Sequence, residues 1–165
     1  MTAVATVRLD VATPEAMAEL GARLAGLLRA GDLVLLSGPL GAGKTTLVRG
    51  MGAAMGVRGA VTSPTYVIAR VHPSLVGGPA LVHVDAYRLQ GLAELDDLDL
   101  DADLDSAVTV VEWGTGVAES LAETRLEVRI TRSGTGETRG VELITHGDAW
   151  ADRADALGAA AGVAT

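Results

Sequence analysis

The sequence predicts an α/β fold, one compact sheet with a parallel centre and antiparallel edge strands, flanked by helices. Three observations lead there. The runs Leu33 to Leu36, Ala80 to Val84 and Ala107 to Val111 are short and continuously apolar, the pattern of strands covered on both faces at the centre of a parallel sheet. Between Thr13 and Leu28, apolar residues recur at helical spacing. Near the C-terminus, Arg125 to Thr131 and Val141 to Thr145 flank a Gly-rich turn from Ser133 to Gly136, which predicts a closing hairpin. A length of 165 residues and a hydrophobic content of 48% suit one domain over residues 1–150, followed by an Ala-rich helix or tail over 151–165.

Taken in order, Val4 to Leu9 reads as an edge strand. Thr13 and Pro14 mark a helix start, since a threonine hydroxyl can accept a first-turn N–H and the fixed φ of proline suits the first helical position. Met17, Leu20, Leu24, Leu27 and Leu28 form the apolar stripe, and Gly31 is expected to end the helix. Leu33 to Leu36 leads into a glycine-rich loop, and a helix from Thr45 is expected to finish near Gly56. Next come Ser63-Pro64-Thr65-Tyr66, a strand over Val67 to Val71, a turn from Pro73 to Pro79 and a strand that stops at Asp85. A short helical stretch from Leu92 to Leu98 precedes the strand that stops at Glu112, and residues beyond about 158 are expected to fray.

The densest chemistry lies in Gly38-Pro39-Leu40-Gly41-Ala42-Gly43-Lys44-Thr45, a complete G-x-x-x-x-G-K-[ST] phosphate-binding loop. Glycines let backbone N–H groups approach phosphate oxygens, and the following helix presents its positive end to them. Lys44 is the only lysine of the chain, the other strong cations all being arginine. A slim ammonium fits where a planar guanidinium does not. Gly41, Ala42, Gly43, Lys44, Thr45 and Thr46 are therefore the expected phosphate contacts of ATP, with the Thr45 hydroxyl directed at Mg²⁺. A dinucleotide reading fails because Thr46 stands where a third glycine or alanine belongs and no acidic residue ends a strand about twenty residues on.

Asp85 and Glu112 end two apolar strands. In a parallel sheet those ends open onto the crevice that holds the phosphate loop, so both carboxylates could reach a nucleotide-bound magnesium ion. Either could instead form a turn or cap a helix, and the sequence by itself does not rank them.

Composition narrows the classes. With two tryptophans, two tyrosines and no phenylalanine, the core must be aliphatic, and an aromatic beside a motif, such as Trp113 after Glu112, becomes a candidate for contact with the nucleotide base. The absence of cysteine excludes disulfides and thiolate metal sites and suits a reducing cytoplasm. No signal-peptide pattern or membrane-spanning apolar stretch is present, so a cytoplasmic protein with no membrane partner is expected. A net charge of -8 argues against unaided nucleic-acid binding, so any RNA would be held through another protein. The alternation from Asp97 to Asp105 is not a calcium loop, because Ala102 occupies the position that requires glycine. Arg132 and Arg139 flank the hairpin turn, where either could contact nucleotide, although arginines in an exposed hairpin are more often solvated and stay outside the expected site.

The phosphate loop, Ser63-Pro64-Thr65-Tyr66, His83-Val84-Asp85-Ala86-Tyr87-Arg88-Leu89 and Val111-Glu112-Trp113 follow one another in a way that resembles the bacterial tRNA threonylcarbamoyladenosine biosynthesis ATPase family, TsaE/YjeE, over residues from about 5 to 150. The resemblance implies a compact P-loop fold that hydrolyses ATP weakly alone. It implies two partners, a threonylcarbamoyl transferase and its paralogue, which modify the adenosine beside the anticodon of tRNAs reading codons that begin with A. It also implies that Glu112 binds the metal with Thr45, that Asp85 is needed for hydrolysis alongside Lys44, and that Thr65 lies in a segment sensing the γ-phosphate. Gly114-Thr115-Gly116 departs from the family, which often has proline there. Two other readings stay open at this point: a small-molecule kinase, and a nucleotide-gated adaptor for which hydrolysis is not required.

Overall fold

The computed structural model describes residues 4–39, 41–57, 69–85, 106–112, 124–132 and 136–162. The strands among them are β1 (Val4–Val11), β2 (Leu33–Ser37), β3 (Ala69–His72), β4 (Ala80–Asp85), β5 (Ala107–Glu112), β6 (Arg125–Arg132) and β7 (Arg139–His146). They form one sheet in the order β1-β7-β6-β2-β5-β4-β3. Strands β6, β2, β5 and β4 run parallel; on one side β7 pairs antiparallel with β6 and β1 antiparallel with β7, and on the other β3 pairs antiparallel with β4. This is the expected parallel centre with antiparallel edges. The hairpin closes in register from Arg125↔His146 to Arg132↔Arg139.

Helix α1 (Pro14–Ala25) starts as its cap residues dictate, with Ala16 N donating to Thr13 Oγ1 at 3.1 Å. It ends earlier than expected, at Gly26 rather than Gly31. Leu27 N then bonds Leu24 O at 2.9 Å and Leu28 N bonds Ala25 O at 3.2 Å. These tight turns keep side-chain spacing near that of a helix after the helix has stopped, which is why the apolar stripe ran on. Gly31, at φ 94°, makes the turn into β2. Helix α2 (Lys44–Met55) closes on left-handed Gly56, as its sequence suggested.

One sheet face carries the main core. Val34, Leu36, Val108, Val110, Leu126, Val128 and Ile130 meet Met17, Leu20 and Leu24 of α1 and Leu47, Val48 and Met51 of α2. The two helices touch through backbone, because a Cβ on Gly50 would strike Ala18 O and one on Gly21 would strike Leu47 O. On the opposite face Leu33, Leu35, Val82, Val84, Thr109 and Val111 are also buried. Burial on both faces is the physical origin of the unbroken apolar runs.

The chain's last described part is a 3-10 helix (Asp148–Arg153) continued by α3 (Ala154–Ala160). Trp150 and Leu157 enter the core and the helix runs to Ala160; of the residues expected to fray, 163–165 lie outside the described residues. The segment Ser63 to Tyr66, the stretch Leu92 to Leu98 and the acidic run Asp97 to Asp105 lie outside the described residues.

Candidate nucleotide-phosphate site

Strands β2, β5 and β4 finish side by side, with Leu36 paired to Glu112 and Glu112 paired to Asp85. Beyond Leu36 and Ser37 the chain leaves the sheet at Gly38 and enters the loop. A Cβ on Gly38 would lie 2.8 Å from Ile130 O, so the loop passes too close to β6 for any side chain. Gly43, at φ 109°, turns the chain into α2 and serves as an N-cap with no side-chain hydrogen bond. No acidic residue occupies the first turn of α2. The helix therefore presents its positive end without a carboxylate in its own first turn to neutralise it, which suits an anion.

Lys44 lies at the start of α2, with 6% of its surface exposed. Its Nζ donates to Gly38 O at 2.7 Å and to Pro39 O at 3.1 Å, so the ammonium is held back across the loop. Ala42 is packed into the core and its N bonds Pro39 O at 3.1 Å, which shapes the loop's turn. Gly41 is exposed, and Thr45 and Thr46 are half-buried in the first turn of α2. The predicted phosphate contacts at residues 41–46 thus share one loop and one helix end.

Glu112 is 5% exposed at the end of β5. Its Oε2 lies 2.6 Å from Nε2 of His83, a residue with no exposed surface. In the tautomer that carries its proton on Nε2, His83 donates to the Glu112 carboxylate. In the sheet Glu112 stands on the strand beside β2, and Asp85 one strand further out, at about 4.8 Å per strand. The hydroxyl of Thr45 and the carboxylate of Glu112 are hard oxygen donors of the kind Mg²⁺ prefers, and the near-burial of Glu112 favours a charge-compensating cation.

The structure adds to the sequence reading at two positions. His83 was read only as a strand residue, and its partner is 29 positions away. Arg132 reaches the loop, its Nη1 lying 3.8 Å from where a Cβ on Gly41 would be, whereas Arg139 turns back to Gly136 O at 2.8 Å. Alternation along β6 was the available signal, since Arg132 follows Leu126, Val128 and Ile130 on the helix-covered face. Thr65 and Trp113 lie outside the described residues, as do Tyr66, Tyr87 and Arg88.

A protein-family model described as "Threonylcarbamoyl adenosine biosynthesis protein TsaE" matches residues 11–141. The chain belongs to the TsaE family. The TsaE protein of Streptomyces coelicolor is 64% identical over 139 residues, which span 82% of this chain and 94% of that protein. The TsaE protein of Bacillus subtilis is 35% identical over 125 residues, 75% of this chain and 77% of its own. A crystal structure of Bacillus subtilis YdiB superposes with a TM-score of 0.76 at 26% identity, covering 95% of this chain and 97% of that one. The TsaE match thus contains the phosphate loop, both strand-end acids and the β6–β7 hairpin up to Val141. No helix among the described residues is long and apolar enough to cross a membrane.

Proposed function

We propose that this TsaE-family chain is a magnesium-dependent P-loop ATPase serving threonylcarbamoyl modification of the adenosine beside the anticodon in tRNAs reading codons that begin with A. It would act in the cytoplasm with a threonylcarbamoyl transferase and that enzyme's paralogue. The observation that carries this reading is the register of Leu36 with Glu112, which sets a buried carboxylate beside the strand that feeds the Lys44 loop.

Phosphoryl transfer to water asks little covalent chemistry of a protein and much charge neutralisation and positioning. The loop amides at residues 41–46 and the end of α2 cradle the phosphates, and Lys44 exchanges its bonds to Gly38 O and Pro39 O for phosphate oxygens. Thr45 and Glu112 would hold Mg²⁺, which would supply charge neutralisation for phosphoryl transfer. Asp85, one strand beyond Glu112, is assigned the attacking water. Thr65 is assigned to sensing the γ-phosphate and Trp113 to the base. A net charge of -8 leaves tRNA binding to the partners.

The deciding experiment measures ATP hydrolysis by the purified chain with and without the transferase pair, for wild type, Asp85→Ala and Glu112→Ala. Partner-stimulated turnover that both variants lose is the expected result. Phosphate passing to a small metabolite would replace this reading with a kinase. Modification supported in full by Asp85→Ala would replace it with a nucleotide-gated adaptor.

A further inference from the structure

Glu112 is not oriented by its own backbone alone. The terminal torsion of a glutamate is broad, so a carboxylate at a strand end needs an external bond to set its plane. His83 supplies one from the neighbouring strand. On β4, His83 pairs with Val110 and Asp85 pairs with Glu112, so His83 and Glu112 are diagonal neighbours on one sheet face. Their atoms meet at 2.6 Å with side-chain exposures of 0% and 6%. The other ring nitrogen, Nδ1, has no hydrogen-bond partner among the described residues. The single polar contact seen for this buried imidazole is therefore the acid assigned to the metal.

We propose that His83 is a positioning residue for the metal site, its Nε2–H holding the Glu112 carboxylate in the orientation that binds Mg²⁺. The inference rests on the reading of Glu112 as metal ligand. An outer-shell donor of this kind fixes the plane of a ligand whose own torsion is soft, and removing such a donor usually lowers metal affinity about 10- to 100-fold. An imidazole present only to fill the core would leave metal affinity untouched when replaced by an apolar side chain of similar volume.

The test is ADP binding by calorimetry, with Mg²⁺ and again with EDTA, for wild type, Glu112→Ala, His83→Leu and His83→Gln. The quantity compared is the gain in ADP affinity that Mg²⁺ confers. His83→Leu is expected to reduce that gain about 10-fold or more while leaving affinity in EDTA unchanged. His83→Gln, whose amide N–H can reach the same oxygen, should keep most of it. A wild-type gain in His83→Leu, alongside loss in Glu112→Ala, overturns the positioning role and leaves the metal reading intact. A wild-type gain in Glu112→Ala overturns the metal reading, and this inference with it. A second measurement needs no variant: in protein labelled with ¹⁵N-histidine and loaded with ADP, Mg²⁺ should shift the His83 Nε2 resonance. An unmoved resonance overturns the proposal.

Discussion

Arg153 and Asp32, separated by 121 positions, meet in a two-point ion pair, Nη1 to Oδ2 at 2.7 Å and Nη2 to Oδ1 at 3.2 Å. Their side chains are 4% and 8% exposed. Arg153 also donates from Nε to Ala149 O and from Nη1 to Leu27 O, and its guanidinium lies 3.8 Å over the Trp150 ring. Asp32 accepts from Arg29 N at 2.6 Å. The pair fastens the 3-10 helix to the turn before β2, at the opposite end of that strand from the phosphate loop. Arg153→Ala leaves a buried carboxylate without its counter-charge and is expected to lower stability by about 3–5 kcal/mol in urea unfolding. The double variant Asp32→Leu/Arg153→Met, which removes both charges, should recover much of that loss.

Two glycines should respond in opposite directions. A Cβ on Gly50 meets Ala18 O, Cα and C, so Gly50→Ala must push α1 and α2 apart, at a cost of about 1–3 kcal/mol or more. A Cβ on Gly158 meets nothing within 4 Å inside α3, so Gly158→Ala should stabilise the chain by about 0.5–1 kcal/mol through helix propensity. Denaturant midpoints of the two variants, measured side by side, check both signs.

Lys44→Ala is expected to leave the unliganded melting temperature within a few degrees of wild type while abolishing the rise that ATP produces. At 100-fold excess over Kd, a ligand adds about 2.7 kcal/mol of stability, and that increment should vanish. Lys44→Arg should not restore it, because Nζ donates to Gly38 O and Pro39 O as a compact ammonium, and a planar guanidinium does not reproduce that geometry. Thermal melts with and without nucleotide give the readout.

Thr13→Ala removes the side-chain acceptor of Ala16 N and should destabilise by about 0.5–2 kcal/mol. Thr13→Ser, which keeps the acceptor, should sit close to wild type. Equilibrium unfolding distinguishes the two.

Elements whose signals are local were legible in the chain. The Thr13-Pro14 start of α1, the Gly56 end of α2, the three apolar strands and the closing hairpin all lie where cap chemistry and periodicity put them. The end of α1 was misread, since tight turns at Leu27 and Leu28 preserve the spacing used to extend it. Relations between distant segments were not legible. His83 carries no mark of its bond to Glu112, and Gly21 and Gly50 look like weak points in helices until each is found against the other helix's backbone.

By itself, the sequence determined the parts: a phosphate loop between a buried strand and a helix, acids closing two further strands, and a hairpin to finish the sheet. Tertiary structure alone decided that β5 lies between β2 and β4, and so that Glu112, not Asp85, stands next to the loop strand. Hydrogen bonding to the nearest four residues and side-chain periodicity are written into neighbouring residues. Strand order is instead the outcome of which long-range pairing buries the most apolar surface at once, and no short stretch of chain encodes it.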